Sequence, residues 1–302
     1  VDVISSPISG TSGLTKTGPG VIQLSATNSY TGGTRVAGGW IVANSAVLGA
    51  TGELLSLDGG GVYASGDYST RPLDVGLGGG TILVASAGTA TLGNVSGSGR
   101  LTIESALRFG PTGTLNLRAS AAHSGVTSIF VTRAMLIPGS GGATHGALPS
   151  TSRIEVGGYL DIGDGTTPPP SNLLNDNATL ALRGGAVTFQ PTGGAAEKIG
   201  PLRIDLGSST TSGTFTADRI ERSPGSVWRV EGLAQPTILA IPTMVGSGPS
   251  GSPTAPVLPY IVTLSSSSQT APMTVDAGRM RALLSSEPVS YTHLTLPTNR
   301  EV

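Results

Sequence analysis

The 302-residue chain has no cysteine, few aromatic residues and little charge. The missing cysteines exclude disulfides and thiolate zinc sites. Only 12% of residues are charged, and 17 basic against 18 acidic side chains leave a net charge of −1. No broad field exists to recruit a polyanion, so nucleic acid is not an expected partner. With aromatics at 4%, any core must be built from Val, Leu, Ile and Ala. No apolar run is long enough to span a membrane, and no basic segment followed by an apolar run marks a signal peptide near Val1.

What the chain does have is glycine and proline, 46 and 21 residues, together with 37% hydrophobic residues. A mean hydropathy of +0.15 with low net charge argues against disorder, which combines low hydrophobicity with high charge. The apolar material comes in short pieces. Runs such as GVIQLSA from Gly20, GWIVAN from Gly39, TILVAS from Thr81, RLTIES from Arg100 and SRIEVGGYLDIG from Ser152 are bounded by Gly, Asn, Asp, Ser or Pro. Short runs between turn residues read as strands, and no window holds a capped 3.6-residue apolar period. The fold class is all-β.

Within the runs apolar residues alternate: Leu101 and Ile103, Leu115 and Leu117, Ile154 and Val156, Leu160 and Ile162, Leu180 and Leu182. One face of each strand is apolar and the other carries Thr, Asn, Glu, Asp or Arg. A β-sandwich satisfies this pattern. A solenoid also satisfies it and better explains the scarcity of bulky aromatics, because inward side chains stack on their like in the next coil.

The segment GLTKTGPGVIQLSATNSYTGGTRV, residues 13–36, resembles the passenger-associated repeat of autotransporters and related bacterial surface proteins. The matching positions are Gly13, Leu14, Lys16, Gly18, Gly20, Leu24, Asn28, Tyr30, Thr31, Gly32, Gly33, Thr34 and Val36. Weaker likeness to the downstream rungs of such proteins covers LALRGGAVTFQPTGGAAEKIGPLRIDLGSSTTSGTF and APVLPYIVTLSSSSQTAPMTVDAGRMRALLSSE. The resemblance implies a right-handed parallel β-helix, displayed on the envelope or released from it, with the parent anchored in the cell envelope. It implies a structural or adhesive role, as spacer, adhesin or display surface, with host-surface, matrix or polysaccharide ligands as partners and no cofactor.

A single elongated solenoid is expected over residues 1–288, with about 12 to 14 coils stacked about 4.8 Å apart into a rod near 60 Å long. Outward loops are expected near residues 163–177, where Pro168, Pro169 and Pro170 cannot donate to a ladder, and near 245–259. The last fourteen residues, VSYTHLTLPTNREV, read as the translation of a transposase-type sequencing adapter. Residues 289–302, with His293, are therefore taken as a non-native tail, and the gene as cut off near Pro288.

Catalytic patterns are sparse. His123 and His145 match no metal-ligand spacing and read as surface residues. No G-x-S-x-G elbow accompanies the many serines, and GLGGGT at residues 76–81 lacks the lysine of a phosphate loop and reads as a glycine turn. Asp161 and Asp164 in DIGDGT lack the regular spacing of calcium-binding rolls. The rival to a non-catalytic rod is a carbohydrate-active β-helix that binds or cleaves polysaccharide. It requires carboxylates clustered on one outward sheet, with Glu155, Asp161 and Asp164 the nearest candidates and Glu104, Asp205 and Glu221 reading as solvating residues. Trp40 and Trp228 could stack on sugars but read better as packing residues.

Overall fold

The computed structural model describes residues 1–106, 113–130, 132–137, 146–163, 172–190, 197–231, 236–240, 258–264, 270–276 and 279–282. These residues form a β-solenoid of about 10 turns built from stacked parallel strands. The solenoid, not the sandwich, is therefore the fold. The one helical element among the described residues is a single 3₁₀ turn, Ser45–Val47, capped by the Asn44 side chain.

The first coils each contribute to three faces. On the first face, registered positions run from Ile22 through Ile41, Val62, Ile82, Ile103, Ile129, Val156 and Leu182 to Ile204. All but Ile22 are buried at 4% exposure or less, so one column of aliphatic side chains fills the interior along the rod. On the second face Tyr68, Leu92, Leu117, Leu136, Ile162 and Phe189 stack in the same way. Phe189 then stacks on Phe215, ring centroids 4.4 Å apart. The third face carries Leu14–Lys16, Thr34–Val36, Leu55–Leu57, Leu73–Val75 and Val95–Gly97 as a 5-stranded parallel sheet. Its line continues through single bridges, Ser120 to Ala147 and Leu148 to Leu174. Like stacked on like buries a continuous apolar seam with little shape mismatch, and every inner strand has its amides paired with both neighbouring coils.

The coils depart from expectation in number and, at the C-terminal end, in pairing. The coil number falls from 12–14 to about 10, partly because the middle coils are long. Ile103 to Ile129 and Ile129 to Val156 are steps of 26 and 27 residues, where Ile22 to Ile41 takes 19. Val126–Phe130 and Arg133–Leu136 are separate strands on the first and second faces. The Thr132 hydroxyl marks the corner between them by donating to the Gly113 carbonyl. Finally, Leu258–Leu264 lies parallel to Val227–Glu231 as a rung should, but Thr270–Asp276 and Arg279–Ala282 follow it antiparallel and do not continue the coil. Most of the two expected loops (164–171 and 245–257) and all of residues 289–302 lie outside the described residues.

Candidate functional site

Residues 13–36 form the cross-bracing between the first coils. Asn28, 4% exposed, accepts the Ile8 N–H at 2.8 Å and donates from Nδ2 to the Val47 carbonyl at 2.5 Å, tying three coils through one side chain. The buried Lys16 ammonium donates to the carbonyls of Thr17, Gly18 and Gly38. The hydroxyls of Tyr30 and Thr34 meet at 2.6 Å, and Thr34 donates on to the Leu48 carbonyl. Burial is the main cause that raises the pKa of the Tyr30 phenol. Gly13 and Gly32 touch backbone to backbone: a Cβ at Gly32 would lie 2.2 Å from the Gly13 nitrogen. Gly18 and Gly33 take φ of +71° and +75°, and Leu24 and Val36 enter the core. Leu14 packs partly buried against that core, whereas Thr31 is exposed and Gly20 has open space around it.

Arg71, which no sequence pattern singled out, extends this bracing. It is 2% exposed and donates to the carbonyls of Glu53, Ser45, Gly49 and Ala50, closing the turn after Ser45–Val47. Beside it the Tyr68 hydroxyl donates to the Ala43 carbonyl. Such a buried cation among carbonyls leaves no trace in spacing, since its partners sit about one coil earlier in the chain.

His123 is not a surface residue. It is fully buried, with Nε2 2.8 Å from the Gly99 carbonyl and Nδ1 3.4 Å from the Thr127 hydroxyl. The carbonyl partner requires the proton on Nε2, and burial lowers the pKa. His145 and Asp164 lie outside the described residues.

The carboxylate candidates do not converge. Glu155 lies on the outward side of the first face and Asp161 on that of the second, separated by the corner at Gly157 and Gly158. Glu155 accepts from Arg100 at 2.8 Å, Arg153 at 2.9 Å and the Ser128 hydroxyl at 3.1 Å, with Arg183 at 3.8 Å. Burial opposes its ionisation, but the hydrogen bonds from Arg100 and Arg153 outweigh it and hold the carboxyl at about 2. Arg153 also pairs with Asp205, Arg203 bridges Asp205 and Glu221, and Arg219 pairs with Glu221. Asp161 accepts from Arg133. Glu104 makes no ion pair with a described residue. Among the described residues no three His, Asp or Glu side chains converge as metal ligands.

The glycine segment 76–81 holds an anion of its own. The Asp58 carboxylate accepts the Gly78 N–H at 2.8 Å and pairs with Arg35, which fills the turn where a phosphate would sit. Trp228 is 1% exposed and donates its indole N–H to Thr211, so it is a packing residue. Trp40 is different. It is half-buried on the outer surface of the first face, and a Cβ at Gly61, one coil on, would lie 2.4 Å from its Cζ3.

That ring opens onto a groove. Where the third face turns into the first, three successive coils carry glycine in place of side chains: Gly38 and Gly39, then Gly59–61, then Gly78–80. In the fourth coil Arg100 replaces glycine and ends the series. The hollow, about 240 Å³, is floored by Gly39, Gly59–61 and Gly78–80 and walled by Trp40, Thr81, Thr102 and Arg100.

Comparison with known proteins gives one family match and one relative of note. Residues 14–43 match the Passenger-associated-transport-repeat. The Adhesin BmaC autotransporter of Brucella suis biovar 1 (strain 1330) is 33% identical over 129 residues, which is 42% of this chain but 4% of that protein. No solved structure matches. The repeat and the adhesin relative together put the chain outside the cell, at the bacterial surface.

Proposed function

We propose that this chain, which carries a passenger-associated-transport repeat, is an adhesive length of a bacterial surface rod that works by presenting a binding face and performs no catalysis. The observation that carries the reading is the unbroken parallel ladder over most of the chain, joined to a relative named as an adhesin. A stacked solenoid projects its outer faces at fixed spacing, and most of its outward residues are free to vary because inner columns, backbone ladder and buried braces hold the fold. Of the motif positions from Gly13 to Val36, Lys16, Asn28, Tyr30 and Thr34 serve that rod as inter-coil braces, Gly13 and Gly32 let two coils touch, and Leu24 and Val36 fill the core. Polysaccharide cleavage fits less well. It needs a carboxylic acid and a carboxylate facing one substrate, with one pKa raised, whereas Glu155 is held near 2 by arginines and Asp161 stands on another face.

The test is adhesion by purified chain. Beads coated with it are expected to be retained on host-cell monolayers or extracellular matrix above beads coated with an inert protein. Retention no greater than the inert control would reduce the role to a spacer. Hydrolysis or elimination products released from a polysaccharide panel would instead make the chain an enzyme.

A further inference from the structure

We propose that the glycine-floored groove beside Trp40 binds an extended acidic polysaccharide, one sugar face stacking on the indole and a sugar carboxylate pairing at the Arg100 end. The inference rests on the reading of the rod as adhesive and names the chemistry that its surface would recognise.

The groove runs along the rod axis. Trp40 stands in one coil, Gly61 in the next, Thr81 in the third and Thr102 in the fourth, all in register on the outward side of the first face. With strands about 4.8 Å apart, the line from Trp40 to Thr102 spans about 14 Å, room for a few pyranose rings end to end. The floor is bare because glycine recurs at the corner, so a flat ligand approaches the backbone itself. Side-chain bulk returns at both ends: Trp40 closes one and Arg100 the other.

The walls supply what a carbohydrate needs. The indole lies against Gly61 through Cε3 and Cζ3, stays half-buried, and makes no hydrogen bond to another described residue. The hydroxyls of Thr81 and Thr102 likewise have no described partner, so each can donate and accept. An aromatic face with nearby hydroxyls suits the alternating apolar and polar faces of a pyranose.

Charge decides between a neutral and an acidic glycan. No carboxylate is among the residues that line the groove, and Asp58, behind the floor at Gly78, is already paired with Arg35. Arg100, half exposed, shares Glu155 with Arg153 and Arg183, so one carboxylate faces three cations. Among the described residues of this face Arg100, Arg153, Arg183, Arg203 and Arg219 stand against four carboxylates, Glu155, Asp205, Glu221 and the unpaired Glu104 beside Thr102. A net charge of −1 over the chain thus hides a local positive excess along this face.

The experiment is a fluorescence titration of the purified chain carrying Trp228→Phe, so that emission reports Trp40 alone. The probes are a short oligogalacturonate and a neutral oligogalactan of equal length, at low ionic strength. The oligogalacturonate is expected to change Trp40 emission saturably and to bind at least about tenfold more tightly than the neutral chain. In calorimetry, with the native Trp228 retained, Trp40→Ala should abolish binding, and Arg100→Gln should erase the preference for the acidic probe. Circular dichroism checks that each variant keeps its strands. Equal affinity for both probes, binding that survives Trp40→Ala, or no binding at all would overturn the proposal. Beads coated with the Trp40→Ala protein separate the two readings: full adhesion by them would sink this site and leave the adhesive rod standing.

Discussion

The Nδ2 of Asn28 donates to the carbonyl of Val47 across 2.5 Å, from inside a solenoid where neither group can reach water. With Oδ1 holding the Ile8 N–H, this side chain replaces backbone pairing at a point where the coil turns. Asn28→Ala should therefore strand the buried Val47 carbonyl and the half-buried Ile8 N–H and cost about 2 kcal/mol. Asn28→Asp keeps the acceptor but sets an oxygen against the Val47 carbonyl, and should cost about as much. Urea unfolding gives the magnitude. Hydrogen exchange should show the loss concentrated at Ile8 and its neighbouring coils, since a repeat stack transmits destabilisation mainly to nearest neighbours. Uniform exchange along the rod would contradict that local role.

Two glycines of the same motif should behave differently. At Gly32 a Cβ would lie 2.2 Å from the Gly13 nitrogen, whereas Gly20 has nothing within 4 Å of that position. Gly32→Ala must push two coils apart and should destabilise by about 1 to 3 kcal/mol. Gly20→Ala should be close to neutral. Thermal unfolding of the two variants side by side checks the contrast, and equal shifts would show that backbone contact is not what the motif preserves.

The Glu155 cluster predicts an acid limit. Its folded-state pKa of about 2 lies below the ordinary 4.5, so the unfolded chain takes up its proton first as pH falls. The stability it supplies is whole above about pH 4.5 and is lost as pH drops toward 2. Glu155→Gln should remove this part of the acid sensitivity and lower neutral-pH stability by about 1 to 2 kcal/mol, a value held down by the exposure of its arginine partners. Denaturant midpoints between pH 2 and 7 decide it: a variant that keeps the full wild-type slope below pH 4.5 would assign that slope elsewhere.

The strands were legible because alternation is a local signal: Leu101 with Ile103 and Leu180 with Leu182 announce an inward face without any knowledge of neighbours. Residues 13–36 were legible as a motif, but not the task of each member, because Lys16 and Asn28 act on carbonyls about 20 residues away. The arginine ladder was hidden for the same reason, with Arg100 and Glu155 two coils apart and 55 residues distant in the chain. Glu155 and Asp161 looked paired in sequence, and a corner of two glycines sends them to different faces. His123 misled because it sits among Ala, Ser and Gly, where nothing marks it as the inward residue in line with Ala121.

That buried histidine makes the last prediction. His123 is neutral in the folded chain, with Nε2–H donating to Gly99 and Nδ1 turned to the Thr127 hydroxyl. Burial lowers its pKa below the ordinary 6.5, so between that value and the folded pKa the unfolded chain binds a proton that the folded chain refuses. Stability from this residue is therefore complete above about pH 6.5 and declines on acidification, by at most about 1.4 kcal/mol per pH unit inside the window. His123→Gln can keep a donor toward Gly99 but cannot titrate. It should flatten the pH dependence that sets in below about 6.5 while leaving the loss below pH 4.5, which belongs to Glu155. Hydrogen exchange at the amides of Val126–Phe130, measured at pH 7 and pH 5.5 and corrected for intrinsic rates, locates the effect. Protection that falls in the wild type and holds in the variant is the expected result; equal protection in both at pH 5.5 would mean the interior accepts the charged ring.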